Sequence, residues 1–476
     1  MCKFMDINYT MLCDFYELTM ANGYFESSKK DELVVFDMFF RSIPDKGGFA
    51  IFAGIDQFID YIKKLSFSKT DIEYLRGRNY FDEKFLAYLE NFKFTGSIYA
   101  MKEGTPIFPG EPIVTVVAKA IEAQFVETFL LLSINHQSLI ATKTNRIVRA
   151  ASGRGIMEFG SRRAHGPSAA ILGARAAYIA GAIGSACAIA DVLYKVPALG
   201  TMAHSWVLAY DSEYEAFKEY CRIYPNNAVL LVDTYDTLKS GVPNAIKVFK
   251  ELGITKCGIR LDSGDISYLS KKARQMLDEA GLTDCKITAS NSLDEYIIRD
   301  LIYQGARVDS FGVGERLITS SSNPTFGGVY KLAAVCKNGI LEPRIKISEN
   351  IEKVTNPGFK KVYRIFDKQG KAVADYIALA DEKPTLPLTL FSPTEPWKKC
   401  TYDTTHTLVE LLVPYVLNGE VVYENSDVKS IRNYTLSQID TLWDEVKRFE
   451  NPHQYYVDLS QKLYDLKQKL LNEHKG

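Results

Sequence analysis

The sequence predicts an α/β protein: an irregular α/β barrel flanked by an α+β N-terminal domain, with a small C-terminal region. Three observations predict it. Six short apolar runs between Met157 and Gly314 each end in a polar or glycine-rich turn, and most are followed by a helical stretch. Strand, polar turn and helix in repetition is the βα unit of a parallel sheet, either doubly wound or closed into a barrel, and the barrel is the expectation. The chain before about residue 120 mixes helical and strand patterns without that repeat, and 476 residues exceed one ordinary core.

Taken in order, Thr10 to Tyr24 carries apolar residues at helical spacing, and Glu32 to Phe40 is a β-rich run with Val34, Val35, Phe36 and Phe39. Helical patterns follow at Phe52 to Lys64 and Asp82 to Asn91, and a second β-rich run, Ile113 to Ala118, follows the turn signal Pro109-Gly110. These elements make a first domain over 1–122, joined by part of 335–380. A long helical pattern from Ala123 to Ala151, with Phe125, Phe129, Leu132, Leu139, Ile140 and Ile147 on its apolar face, opens the barrel domain, 123–335.

The six runs are Met157 to Gly160, Leu199 to His204, Leu230 to Asp233, Gly258 to Asp262, Lys286 to Asn291 and Asp309 to Gly314. In a parallel α/β sheet the reactive groups sit at the carboxyl ends of the strands, where Glu158, His204, Asp233, Arg260, Asp262 and Asn291 fall. Beyond 335 the chain turns β-like and basic, passes the proline-rich stretch Pro384 to Pro396, and ends in a helical pattern that places Tyr456, Leu459, Leu463, Leu466 and Leu470 on one face. This C-terminal region, 336–476, is expected to dock that helix on its parent domain.

Composition narrows the function. With 57 basic and 58 acidic residues the formal charge is −1, so no overall field draws the chain to nucleic acid or to an anionic membrane, and a small-molecule partner is favoured. The eight cysteines are scattered singly, without metal-ligand spacing, and read as free thiols of a reducing compartment. Met1 to Asn8 holds no secretory pattern, and the apolar stretch Ala176 to Ala190 falls short of the ~20 residues that a membrane span needs. That stretch reads as tightly packed and buried, and the protein as cytoplasmic with no membrane partner.

Several turns have the chemistry of an anion site. Phe159-Gly160-Ser161-Arg162-Arg163-Ala164-His165-Gly166 sets two guanidinium forks between glycines before a helix, although the same pattern also suits a solvated surface loop. Gly312-Val313-Gly314 allows close approach of backbone to phosphate. Asp233 and Asp236, with Asp262 and Asp265, put carboxylates at two strand ends that suit Mg²⁺ or serve as helix caps, with Asp265 the better cap. His204 is a base, ligand or nucleophile by type, or a packed residue.

Together these segments resemble the nicotinate phosphoribosyltransferase family, with the similarity running from about Tyr9 to Leu332. Cys13 to Met20 resembles the family's N-terminal helix, Phe159 to Arg163 its arginine loop, Gly200 to Ser205 its histidine loop, and Arg260 to Asp265 and Gly312 to Thr319 its ribose and phosphate loops. The resemblance implies an NAD-salvage enzyme converting nicotinate, phosphoribosyl pyrophosphate and ATP to nicotinate mononucleotide, pyrophosphate, ADP and phosphate. Mg²⁺ is the implied cofactor and ATP a co-substrate, with His204 carrying phosphate as phosphohistidine.

It further implies a homodimer with shared active sites, in which Tyr16 of one subunit and Phe159 of the other sandwich the ring. Thr201 and Arg260 then contact nicotinate. Arg162, Arg163, Ser290, Asn291, Gly312, Gly314 and Thr319 bind phosphoribosyl pyrophosphate, and His204, Asp233 and Asp262 are catalytic, the two aspartates also holding Mg²⁺ through pyrophosphate. The nearest alternative is a nicotinamide phosphoribosyltransferase, whose Gly-Thr-Asp-Thr segment corresponds to Gly184-Ser185-Ala186-Cys187. Ala186 lacks the carboxylate that accepts an amide bond, which favours the acid. A catalytically idle binding protein on the same barrel is the alternative from another class.

Overall fold

The computed structural model describes residues 8–349, 353–393, 395, 397–423 and 426–473. Apart from Asn8, the Met1 to Asn8 segment that carries no secretory pattern lies outside the described residues, as do Cys2 and, in the proline-rich stretch, Thr394 and Pro396. The chain divides into two compact units, one of residues 140–324 and 427–433, the other of the remainder.

The first unit holds six parallel strands in the order Gly184–Ser185, Gly155–Glu158, Ser310–Val313, Lys286–Ala289, Cys257–Leu261 and Ala228–Leu231. The last strand of the series in sequence, Ser310–Val313, pairs with the first, Gly155–Glu158. Chain order therefore runs around a ring, as in a barrel, instead of reversing at a central switch point as in a doubly wound sheet. The described ladders leave Gly184–Ser185 and Ala228–Leu231 as edges, so the barrel is irregular.

One expected strand does not form. Leu199 to His204 contributes only the neighbouring bridge Ser185–Ala198, then runs as loop into the helix His204–Leu208. The Pro197 carbonyl and the Leu199 N–H pair with Ser185, but the next partner, the Cys187 N–H, turns to Ser185 Oγ, so pairing stops there. The sixth strand lies instead within the alanine-rich stretch, at Gly184–Ser185. That stretch is buried from Ala176 to Ala182, then exposes Ile183, Ala186, Ala188 and Ile189.

Strand ends and helix starts follow local chemistry. Asp265 accepts the Tyr268 N–H at 2.9 Å and caps the helix Ile266–Glu279, as expected from the sequence. Asp236 caps its own turn through the N–H groups of Leu238 and Lys239. Gly253, in the left-handed region at φ 63°, ends the helix Val242–Leu252.

Among the described residues the second unit holds two large sheets and a two-stranded one, Ala50–Ile51 with Pro106–Ile107. Leu33–Phe40 lies between Gly328–Lys337 and Val114–Lys119, all antiparallel, with Ser97–Ala100 and Val413–Leu417 beyond. A six-stranded sheet contains Lys360–Phe366, Ala372–Leu379 and Tyr456–Leu459. Residues after 336 thus supply strands beside N-terminal ones, and Leu411, Tyr415 and Leu463 share a core with Phe40, Phe58 and Phe85. A β-rich segment buries its edges and apolar face most readily against strands that need the same cover.

The C-terminal periodicity conceals a boundary. Tyr456–Leu459 is a strand, and the helix spans Gln461–Glu473, with the Leu463 N–H bonded to Ser460 Oγ at 3.0 Å. Leu463 is fully buried, which docks the helix within this unit. No described helix is long and apolar enough to cross a membrane, and the seven described cysteines are all free.

Candidate active site

A cavity of about 190 Å³ opens at the carboxyl ends of the barrel strands. Of the residues singled out from sequence, it is lined by Phe159, Arg162, Arg163, Arg260, Asp262, Ser290, Asn291, Gly312 and Gly314. Ser292, Leu293, Glu315 and Arg316 complete the lining, the last two from the Gly312 to Thr319 loop but without a role assigned from sequence. Four arginines against two carboxylates make the lining suited to an anionic ligand.

The wall begins at Phe159, the first residue after the strand Gly155–Glu158. Its ring lies against Gly312, where an added Cβ would sit 2.5 Å from the ring, and the Arg260 guanidinium lies 5.9 Å from the ring centroid on adjoining space. Gly160 is equally constrained, because a Cβ there would meet Ile318 at 2.6 Å and the Gly314 carbonyl at 2.7 Å. The turn Ser161–Arg163 then carries Arg162 and Arg163 outward, both exposed. Arg163 pairs loosely with Glu315 at 3.5 Å, and Arg162 has no ion-pair partner among the described residues, which leaves its fork open to a ligand.

Arg260 is the hub. It donates from Nε to Ser290 Oγ at 2.9 Å, from Nη1 to Thr201 Oγ1 and the Met202 carbonyl at 3.2 Å, and from Nη2 to Asp262 Oδ1 at 3.1 Å. Ser290 also donates to Asp262. Burial by itself raises the Asp262 carboxyl, but the Ser290 hydrogen bond and the Arg260 charge outweigh it and hold it below the ordinary aspartate range. Asp262 is therefore ionised at neutral pH.

Asp233 is buried, and its Oδ2 accepts the Asp262 N–H and the Ser263 hydroxyl, each at 2.7 Å. Its Oδ1 is buried with no hydrogen-bond partner among the described residues. His204 Nε2 lies 4.0 Å from that oxygen and 3.8 Å from Asp262 Oδ2, while Nδ1 meets Thr234 Oγ1 at 3.1 Å. Two carboxylate oxygens thus face one imidazole. A pair of hard oxygens with one orphaned acceptor fits a divalent cation that completes its shell with phosphate oxygens, since no described cluster of three or more ligands forms a cage by itself.

Asn291 holds a positive φ of 102°, uncommon for a side-chain-bearing residue, and its Oδ1 accepts the Ser292 N–H at 2.8 Å. The loop is braced behind by Asp294, which accepts from Arg316 at 2.5 Å, and by Glu295, buried between Lys143 and Arg146 at 2.8 and 3.0 Å. Thr319 is not part of the lining; its hydroxyl donates to the Glu315 carbonyl at 2.8 Å. Tyr16 belongs to the other unit, on the helix Phe15–Glu26, where it is exposed together with Leu12, Phe15 and Met20.

Sequence reading passed over Thr234, Ser263 and Arg316. Thr234 and Ser263 each adjoin a chosen aspartate, and Arg316 ends the glycine turn, so proximity to strand ends was the available signal.

Comparison with known proteins agrees along the whole chain. Family profiles described as nicotinate phosphoribosyltransferase (NAPRTase) N-terminal domain and C-terminal domain match residues 11–135 and 359–467. The nicotinate phosphoribosyltransferase of Bacillus subtilis is 44% identical over 480 residues, covering 99% of this chain and 97% of that one. That of Caenorhabditis elegans is 32% identical, covering 95% and 92%. The crystal structure of human nicotinic acid phosphoribosyltransferase superposes with a TM-score of 0.85 at 26% identity, over 97% of this chain and 100% of that chain.

Proposed function

The chain belongs to the nicotinate phosphoribosyltransferase family, and from that premise we propose that the barrel cavity transfers the phosphoribosyl group to nicotinate for NAD salvage. The observation that carries this reading is the arginine-rich cavity with Phe159 on one wall and His204, Asp233 and Asp262 at its side. The nicotinate ring nitrogen attacks the anomeric carbon of phosphoribosyl pyrophosphate, the bond from that carbon to pyrophosphate oxygen breaks, and pyrophosphate departs. An oxocarbenium-like centre needs positioning and electrostatics more than covalent help.

Phe159 offers the ring a stacking face, and Arg260 and Thr201 suit its carboxylate. Arg162, Arg163 and the Gly312 and Gly314 backbone suit the phosphates, with Ser290 and Asn291 near the sugar. Asp233 and Asp262 would hold Mg²⁺, which when bound neutralises charge on the leaving pyrophosphate. His204, oriented by Thr234, takes the terminal phosphoryl of ATP with release of ADP, and hydrolysis of that phosphohistidine drives the transfer.

The exposed face of Leu12, Phe15, Tyr16 and Met20 suits a second copy of the chain, with Tyr16 closing the partner's ring site. Ala186 gives a nicotinamide amide no acceptor, and the Ser185 hydroxyl is already committed to Glu158. The test is mononucleotide formation from phosphoribosyl pyrophosphate, Mg²⁺ and ATP with nicotinate and nicotinamide offered in parallel. Consumption of nicotinate with ATP stimulation is expected; equal or better use of nicotinamide overturns the ring selectivity, and use of neither overturns the enzyme reading.

A further inference from the structure

Behind the aromatic wall lies a carboxylate that touches nothing in the cavity. Glu158 is fully buried at the end of its strand and is not part of the cavity lining. One of its oxygens accepts the Gly160 N–H, and the other accepts the Ser185 hydroxyl at 2.5 Å. Ser185 Oγ in turn accepts the Cys187 N–H at 2.9 Å. In the sheet Glu158 lies opposite both Val313 and Ser185, and its carbonyl accepts the Ala186 N–H at 2.8 Å. The Phe159 N–H reaches across to the Val313 carbonyl, also at 2.8 Å.

Among the described residues no cation pairs with this carboxylate; its partners are neutral donors, and burial raises its pKa above the ordinary glutamate value. A buried charge without a counter-ion is a costly way to fill space, which an apolar or amide side chain would do with less penalty. What a carboxylate adds is two acceptor oxygens on one rigid plane, and here each serves a different loop. One holds the turn that presents Phe159 and the arginines, and the other holds the Ser185 to Cys187 segment.

We propose that Glu158 is a positioning residue for the nicotinate ring, tying the Phe159-Gly160 turn to the Ser185-Ala186-Cys187 segment so that the stacking face and the segment bearing Ala186 keep one spacing. The proposal rests on the reading of this cavity as the nicotinate site. Removal of the tie lets the Phe159 ring and the segment bearing Ala186 drift apart, which weakens ring binding more than phosphate binding. Arg260 keeps its own attachments through Ser290, Thr201 and Asp262, and Arg163 its pairing with Glu315.

Steady-state kinetics of the full-length enzyme with nicotinate, phosphoribosyl pyrophosphate, Mg²⁺ and ATP test this, with Glu158→Ala, Glu158→Gln, Ser185→Ala and the Glu158→Ala/Ser185→Ala pair. Expected for Glu158→Ala is a rise of about tenfold in the nicotinate KM, with the phosphoribosyl pyrophosphate KM within about twofold of wild type. Glu158→Gln keeps an acceptor for Gly160 and can donate its amide N–H to Ser185 Oγ, so it should recover most of the loss, while Ser185→Ala shows a smaller rise of the same kind. Because both residues act in one link, the double variant should be no worse than Glu158→Ala.

Equal rises in both KM values, no recovery by glutamine, or additive losses in the pair overturn the positioning role. If Glu158→Ala does not fold, Ser185→Ala and Glu158→Gln decide the matter by the same split. Wild-type enzyme that turns over no nicotinate overturns the function and this role together, whereas wild-type turnover with unsplit variants overturns this role alone.

Discussion

Asp233 Oδ2 accepts the backbone N–H of Asp262 at 2.7 Å, so the carboxylate at one strand end fixes the chain that carries the carboxylate at the next. The second oxygen of Asp233 is left free and turned toward His204. Asp233→Asn keeps the shape and removes the charge. Turnover is expected to fall by about a hundredfold, with a higher Mg²⁺ concentration needed for half-maximal rate, read from kcat against Mg²⁺. Unaltered Mg²⁺ dependence would remove Asp233 from the proposed cation site.

His204→Ala should abolish ATP stimulation and the ATP hydrolysis that accompanies product formation, leaving a weak ATP-independent transfer. Acid-labile label from γ-phosphate-labelled ATP should appear on wild-type protein and be missing from the variant. Retained coupling in His204→Ala would sink the phosphohistidine.

At Gly312 a methyl group would stand 2.5 Å from the Phe159 ring, closer than any real contact, so the ring must move. Gly312→Ala is expected to raise the nicotinate KM by about tenfold. A nicotinate KM equal to wild type would mean that Phe159 does not form the stacking face.

Glu17 lies on the first helix, where its Oε1 accepts the Thr128 hydroxyl at 2.5 Å and the Thr128 N–H at 3.2 Å. Burial, and less strongly the nearby Glu127, push its carboxyl up to about 7 from an ordinary 4.5. A pKa raised on folding contributes stability that is complete below the unfolded value and lost as pH rises through the folded one. The melting temperature should therefore decline between about pH 5 and pH 8, and Glu17→Gln should lose that part of the decline. The same slope in both proteins would show that Glu17 does not titrate in this window.

Tyr16→Ala subunits mixed with Asp262→Ala subunits should regain activity. If each site takes a barrel from one chain and Tyr16 from the other, random reassortment restores about a quarter of the sites. Sedimentation of a dimer with no regained turnover would argue for sites within single chains.

Much of the barrel could be read along the chain because its signals are local. An apolar run of a few residues followed by Asp, Arg or Gly marks a strand end wherever it occurs, and so Asp233, Arg260, Asp262 and Gly312 were found without coordinates. Leu199 to His204 misled because its apolar start resembles a strand, whereas pairing depends on a neighbouring strand, and that neighbour turns away at Cys187. The Tyr456 to Leu470 periodicity likewise spans a strand and a helix, since residues at three- and four-residue spacing can belong to either when Ser460 intervenes.

By itself, then, the sequence determined the βα repeat, the family and the residue types gathered at the strand ends, all of which depend on short-range pattern and turn chemistry. Tertiary structure alone decided three things. It joined Ser310–Val313 to Gly155–Glu158 and so chose a ring over an open sheet. It placed Val413–Leu417, from beyond residue 336, beside the N-terminal strand Ser97–Ala100. It also buried Glu158 against the Ser185 hydroxyl. Each is a contact between residues far apart in sequence, where hydrogen-bond partners and desolvation are set by which surfaces meet, and no local pattern carries that information.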